Sequence, residues 1–126
     1  MEKMPVEMEE LLHEAEKLVD SESSSSQGVQ VIVALTTKSH SYSFVNHNVM
    51  NGDLSDENNF IDGLVESGET EIRYLVCMWQ KYMLDIPSQH MRELLMKLNP
   101  INKEMYLLLR GAEGYVIKKL KDICCY

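Results

Sequence analysis

Two predicted helix starts carry the side chains of this chain that could do chemistry. Ser88 and His90 stand at the start of one helix, and Ser55 and Glu57 stand at the start of another. A serine becomes a nucleophile when an oriented base lies beside it, and His90 and His47 are the histidines that could serve. Both serines also suit the ordinary task of capping free helix amides, so we expect capping rather than nucleophilic attack.

The cysteines and two flanking histidines give no metal-site pattern. Cys77, Cys124 and Cys125 show no C-x-x-C spacing, and the adjacent terminal pair is poorly placed to bridge internally. His40 and His47 flank a predicted strand without paired ligand spacing, so we expect surface histidines there. Free cysteines are usually buried, and Cys77 is therefore predicted to be a buried strand residue.

The helix that follows Ser88 is the element on which the rest of the chain must pack. Pro87 fits at or just before a first helical turn, because its ring fixes φ near the helical value and it needs no amide hydrogen. Apolar residues then recur at helical spacing and predict one buried stripe, formed by Met91, Leu94, Leu95 and Leu98. Asn99-Pro100 is predicted to end this helix.

The remaining periodic segments predict a helix, two strands, and then alternating helices and strands. The first helix carries an apolar stripe formed by Met8, Leu11, Leu12, Ala15, Leu18 and Val19. A flexible serine-rich loop at 21–28, a buried central strand at 29–35 and a half-buried strand at 41–45 follow it. The rest of the chain is predicted to form a helix from Ser55 to Gly68, a strand at 72–79, a loop at 80–85, a strand at 105–109, a turn at 111–114 and a final strand-helix segment. The helix from Ser55 is expected to bury Phe60, Ile61, Leu64 and Val65. This order predicts an α/β sandwich whose sheet begins with an antiparallel hairpin.

Length, composition and charge limit the class of protein. At 126 residues with 44% hydrophobic content, the chain fits one compact domain that spans 1–126. Its net charge of −8 opposes binding to a nucleic acid polymer, because phosphate binding needs clustered Lys and Arg. No apolar run is long enough to span a membrane, and the first segment is charged and periodic rather than signal-like. We therefore expect a soluble cytoplasmic protein.

Three short motifs, in this order, resemble the cytidine deaminase superfamily, especially small nucleoside deaminases and blasticidin S deaminase. They are Val45-Asn46 at a strand end, Ser55-Asp56-Glu57 at a helix start, and Pro87-Ser88-Gln89-His90-Met91-Arg92 at the next helix start. In these places the family has Val-Asn, then Cys-Ala-Glu or His-Ala-Glu, and then Pro-Cys-x-x-Cys-Arg. The similarity spans roughly 8–123 and implies a three-layer α/β/α sandwich with a mixed sheet.

The resemblance also implies a zinc site, from which this chain departs at every ligand position. Zinc deaminases hold the ion with one His or Cys from the first helix start and two Cys from the second, where this chain has Ser55, Ser88 and Met91. Hydroxyls and a thioether lack the thiolate charge of such sites. Glu57 stands at the family's proton-shuttle position, without the metal hydroxide that it would serve. We therefore expect no zinc and a non-catalytic role, and we assign no catalytic residue.

A small-molecule site is also implied by the resemblance. The two helix starts would converge as in the family, and their free amides favour an anion, but acidic residues nearby oppose one; they are Asp53, Asp56, Glu57 and Asp85. A neutral nucleoside or base-like ligand is therefore expected, with Asn46, Glu57, Ser55 and Ser88 as candidate contacts. Asn46 would contact the ribose and Glu57 an exocyclic amine. Alternatively, Asn46 is a turn residue that ends a strand.

Assembly and catalysis are the other roles that stay open at this point. The resemblance implies a homo-oligomer, either a dimer or a tetramer, and Trp79, Tyr82 and Met83 are candidates for its interface, for a pocket wall or for core packing. The enzymatic alternative is a divergent cytidine or blasticidin-type deaminase with relocated metal ligands. His47, His90 and Glu57 are the candidates, because two histidines and one carboxylate are a recognised set of metal ligands. A metal-free hydrolase that uses Glu57 is the second enzymatic option.

Overall fold

The computed structural model describes residues 4–22, 28–47 and 52–123. Its helices and strands, in chain order, are α1 (Val6–Ser21), β1 (Gln30–Thr36), β2 (Ser41–Asn46), α2 (Ser55–Ser67), β3 (Ile72–Trp79), β4 (Met83–Leu84), α3 (Gln89–Leu98), β5 (Tyr106–Gly111), β6 (Gly114–Lys119) and α4 (Leu120–Ile123). Short 3₁₀ turns precede β4 and β5. None of the helices in the described ranges is long and apolar enough to cross a membrane.

One mixed sheet forms the middle layer. Its strand order is β2-β1-β3-β5-β6, and the two-residue β4 pairs with β3. β1 pairs antiparallel with β2 and β3, whereas β3 and β5 are parallel through Tyr74 opposite Tyr106. The predicted hairpin at the start of the sheet is therefore confirmed, and the single parallel pair makes the sheet mixed.

Helices cover both faces of the sheet because its inner strands are apolar on both sides. Every residue of β1 is buried, as the β-branched run predicted. Val31, Val33 and Leu35 pack with α1, while Ile32 and Ala34 pack in a second cluster with α2, α3 and α4. Alternate residues of a strand point to opposite faces, so one short segment supplies both cores. The three-layer α/β/α sandwich is confirmed.

Several predicted elements need correction, and some predicted features lie outside the described residues. Val65 was expected on the buried side of α2, but its side chain is 56% exposed, and Glu57 takes the inward position one turn before Phe60 and Ile61. The predicted loop at 80–85 contains strand β4, because its residues return to pair with the end of β3. Most of the predicted flexible loop at 21–28 and both terminal cysteines lie outside the described ranges.

A buried asparagine stabilises the connection between α3 and β5 through hydrogen bonds to the backbone. The Asn102 side chain is fully buried in the 3₁₀ turn that follows α3. Its Oδ1 accepts a hydrogen bond from the Ile72 amide at 2.8 Å, and its Nδ2 donates to the carbonyls of Leu95 at 2.9 Å and Thr70 at 3.0 Å. One side chain thus joins the end of α3 to the start of β3.

A glutamate cluster holds the far end of the first hairpin. Glu69, just after α2, accepts hydrogen bonds from the hydroxyls of Thr36 and Tyr42, each at 2.6 Å. Tyr42 donates to Oε2 of Glu69, and Nδ1 of His40 lies 2.8 Å from the same oxygen. His40 is exposed, as predicted. These contacts join the β1–β2 turn to the segment that leads into β3.

Candidate functional site

The starts of α2 and α3 meet on the same side of the sheet. Ser88 Oγ donates a hydrogen bond to Glu57 Oε2 at 2.8 Å. A second contact lies beside it, where His90 Nε2 is 2.9 Å from Asn58 Oδ1. Both contacts join the first turn of one helix to the first turn of the other, so the two helix starts converge.

Local hydrogen bonds build the start of α3. Ser88 is the N-cap residue, and its Oγ accepts from the Met91 amide at 3.1 Å, which confirms the predicted cap. Arg92 Nη1 donates to the Pro87 carbonyl at 2.8 Å. Pro87 and Met91 are buried, whereas the Ser88 residue itself is exposed. The cap therefore holds the Ser88 hydroxyl, whose contact with Glu57 is partly buried, at the end of a buried turn.

The start of α2 is built differently from the prediction. The N-cap position is Leu54, which offers no side-chain hydrogen bond, so the predicted capping role of Ser55 is wrong. Ser55 instead donates from its amide at 2.9 Å and its Oγ at 2.5 Å to Oδ1 of Asp53. These two donors lower the pKa of Asp53, the side-chain contact more than the backbone one. An aspartate two residues earlier, rather than the serine, organises this turn.

The donor atoms at the three family ligand positions do not fit a zinc ion. The Ser88 hydroxyl is engaged by Glu57 and by the Met91 amide, and the Ser55 hydroxyl is engaged by Asp53. Met91 is fully buried in the apolar cluster beneath α2 and α3. Zinc sites in proteins use thiolate, imidazole or carboxylate ligands, and these three side chains supply none of them.

The histidines of the relocated-ligand alternative point to separate partners. His47 Nε2 lies 2.6 Å from Glu22 Oε1, at the end of α1, whereas His90 contacts Asn58 on α2. Within 4–22, 28–47 and 52–123, no three His, Cys, Asp or Glu side chains are grouped to hold a metal ion. The base beside Ser88 is also different from the predicted histidine, because the contact is made by Glu57.

Cys77 lies beneath the site in β3, as predicted for a buried strand residue. Burial raises the pKa of its thiol, and the charges of Asp85 and Glu57 raise it further. Asp85 is itself fixed by the Trp79 indole, which donates to Oδ2 at 2.8 Å. The thiol therefore stays protonated at neutral pH, and Asp85 and Glu57 both lie close enough to act on it.

Asn46 ends β2 close to the start of α2. It is 2% exposed and lies opposite Gln30 in the sheet. The amide of the next residue, His47, donates to Oδ2 of Asp56 at 3.3 Å, which brings the strand end to the first turn of α2. Asn46 thus stands on the same side of the fold as Glu57.

An apolar groove between β2 and α2 was not anticipated from the sequence. It has a volume of about 420 Å³, and its walls include Phe44 of β2 and Phe60 of α2, whose rings stack at a centroid distance of 4.7 Å. Gly63 leaves one side of the helix open, since a Cβ there would meet no atom within 4 Å. An aromatic residue on the edge strand and a glycine within the helix were the available signals.

The aromatic and methionine residues near β4 are on the surface. Tyr82 is 47% exposed and Met83 is 61% exposed, so core packing does not explain either residue. The Tyr82 hydroxyl donates to Asp20 Oδ1 at 2.6 Å. Lys81 and Tyr82 both have positive φ, which turns the chain sharply enough for β4 to pair with β3.

Comparison with known proteins identifies the fold. No protein-family model matches this sequence, and no curated protein sequence matches it. Among solved structures, the cytidine deaminase from Mycobacterium leprae is similar over 97% of this chain and 100% of its own, with a TM-score of 0.70 and 16% identity. The cytidine deaminase from Bacillus anthracis is similar over 97% and 89%, with a TM-score of 0.72 and 15% identity. The chain therefore has the cytidine deaminase fold.

Proposed function

We propose that this chain is a zinc-less, non-catalytic protein of the cytidine deaminase fold, which binds a neutral nucleoside or base-like molecule in the cytoplasm. The state of the three side chains at the zinc-ligand positions supports this proposal above all. Ser55 and Ser88 are hydrogen-bonded to carboxylates, and the Met91 thioether is buried. A metal that lowers the pKa of bound water is what makes hydroxide available near neutral pH. These three side chains offer it no suitable ligands.

Glu57 alone does not replace that chemistry. General acid-base catalysis contributes about 10²–10⁴-fold, which falls well short of the acceleration that enzymes commonly achieve. Glu57 is also 3% exposed and already accepts a hydrogen bond from Ser88. We therefore assign Glu57 to binding and structure rather than to proton transfer.

The charges around the helix starts favour a neutral ligand. Asp53, Asp56 and Asp85 lie near Glu57 in sequence or in space, and a phosphate group would be repelled by them. Asn46 is proposed as the ribose contact and Glu57 as the acceptor for an exocyclic amine, with Ser55 and Ser88 at the rim of the site. This assignment carries the family's ligand geometry to the matching positions of this chain.

An assembly role is compatible with the same fold. Tyr82 and Met83 form an exposed apolar pair beside β4, and large exposed apolar residues are common at subunit contacts. We propose that this pair, together with Trp79, which lies opposite Met83 in the sheet, contributes to a dimer or tetramer of this chain.

Metal content and turnover test the central proposal. We expect purified wild-type protein to contain far less than one zinc per chain and to leave cytidine unchanged, because no strong ligand set is available. Elemental analysis and an assay for released ammonia measure these two quantities. About one zinc per chain, with cytidine turnover that is lost in Glu57→Gln, would instead identify an active deaminase.

Thermal stability in the presence of nucleosides tests the ligand. We expect uncharged nucleosides to raise the Tm of the wild-type protein, because a ligand that binds only the folded state stabilises it. The increase should be smaller in Asn46→Ala than in Asn59→Ala, which removes an exposed asparagine from α2. A response that is lost only in Asn59→Ala would place the ligand in the groove between β2 and α2 and contradict the assignment of Asn46.

A further inference from the structure

We propose that the hydrogen bond between Ser88 and Glu57 is a structural link, which joins the starts of α2 and α3 through Ser88, a position that the family resemblance gives to a zinc ligand. This inference rests on the proposed function, because a bound zinc would need the positions that the link occupies. Its basis is the 2.8 Å contact between Ser88 Oγ and Glu57 Oε2, together with the burial of Glu57.

The burial of Glu57 makes this contact important. A carboxylate taken out of water is stable only when hydrogen-bond donors replace the lost water, and Glu57 is 3% exposed. A hydroxyl donor to a charged acceptor is also stronger than a contact between neutral groups. The neighbouring contact between His90 and Asn58 lies on the surface, where water competes with it.

Ser88 serves both helices through one oxygen atom. Its hydroxyl hydrogen goes to Glu57, while its lone pair accepts the Met91 amide hydrogen at 3.1 Å. The residue that caps α3 is therefore also hydrogen-bonded to the first turn of α2. The Ser88 hydroxyl therefore uses both its hydrogen and one of its lone pairs within the folded chain.

The charged groups near Glu57, in sequence or through a shared neighbour, come from several elements and are mostly negative. Asp56 precedes it on α2, and Asp85 precedes α3 and acts on the same Cys77 thiol as Glu57. The Arg92 guanidinium, on α3, is bound to the Pro87 carbonyl. A donor at position 88 is therefore what Glu57 requires, and a second carboxylate there would be repelled.

The variants S88D and S88N, whose new side chains have the same shape, separate the contact with Glu57 from the capping of α3. Asp and Asn cap helices about as well as Ser, but only Asn keeps a donor for Glu57. We expect S88D to lower the folding equilibrium constant by about 10- to 100-fold and S88N to change it by less than about 3-fold. Urea unfolding, followed through the fluorescence of the single tryptophan Trp79, measures both.

A second change at position 57 tests whether the two residues act on each other. In E57Q/S88D, the amide introduced by E57Q donates to the carboxylate introduced by S88D, so most of the lost stability should return. Equal stability of S88D and S88N, or no recovery in the double variant, would overturn the link. Such a failure is distinguishable from failure of the proposed function, which is measured by zinc in the wild-type protein.

Discussion

The triple variant Ser55→Cys, Ser88→Cys, Met91→Cys is expected to bind about one zinc ion per chain, whereas the wild-type chain is expected to bind none. Position 88 caps α3 and position 91 lies in its first turn, and position 55 lies in the first turn of α2. Glu57 of α2 contacts Ser88, so the two turns are close together. Three thiolates and a water complete the tetrahedral set that zinc prefers. Free zinc at 1,000 times the Kd would raise the free energy of unfolding by about 4 kcal/mol.

A double variant provides the matched control for zinc binding. Ser88→Cys, Met91→Cys keeps Ser55 and therefore supplies two thiolates from one helix turn. We expect it to lose zinc to a chelator that the triple variant resists, since the third ligand must come from α2. Equal zinc retention in the two proteins, measured by elemental analysis after dialysis against the chelator, would show that position 55 lies too far from the other two.

Asn102→Ala is expected to lower the free energy of unfolding by about 3–5 kcal/mol. The Asn102 side chain is fully buried and makes three hydrogen bonds to backbone groups. Alanine would leave the Ile72 amide without this partner, and a buried unsatisfied group costs about 1–3 kcal/mol. The Leu95 carbonyl keeps its hydrogen bond from the Asn99 amide, so the loss of the contacts to Leu95 and Thr70 adds about 0.5–1.5 kcal/mol each. Urea unfolding measures the loss, which should appear as a lower midpoint with an unchanged slope.

Asn99→Ala is the control for the loss of an asparagine in the same turn. Asn99 is only half-buried, and its Oδ1 accepts from the Ile101 amide at 3.1 Å as an N-cap. We expect a cost of about 1 kcal/mol, which is typical of a lost cap. If Asn102→Ala costs no more than Asn99→Ala, the three buried hydrogen bonds do not determine the stability of this connection.

Elements with strong local patterns were predictable from the sequence. β3 spans Ile72–Trp79 as predicted, because a run of mostly apolar residues that includes aromatic and β-branched side chains specifies a strand locally. α3 begins after Ser88 and ends before Asn99 for equally local reasons, namely a cap and a following proline. The left-handed Gly68 at the end of α2 confirms another such signal.

Contacts between distant segments were not predictable in the same way. Glu57 and Ser88 are 31 residues apart, and their contact depends on how two helices dock on one sheet. The sequence analysis considered histidines as the bases for Ser88. The helical spacing that Glu57 shares with Phe60, Ile61 and Leu64 places it on the buried side of α2, but it does not show that this side contacts Ser88. Asn102 resembles any polar turn residue until its neighbours from β3 and α3 are known.

The Glu69 cluster has a consequence for the behaviour of this chain in acid. Hydrogen bonds, first from Thr36, then from Tyr42 and His40, lower the pKa of this carboxyl from 4.5 to about 2. A carboxyl with a lower pKa in the folded chain stabilises the fold above pH 4.5, and this stabilisation is lost as the pH falls through about 2. The junction between the first hairpin and α2 thus keeps its charge in acid that would protonate an ordinary glutamate. Because the unfolded chain takes up this proton first, the Glu69 cluster is itself expected to contribute to the loss of stability between pH 4.5 and about 2.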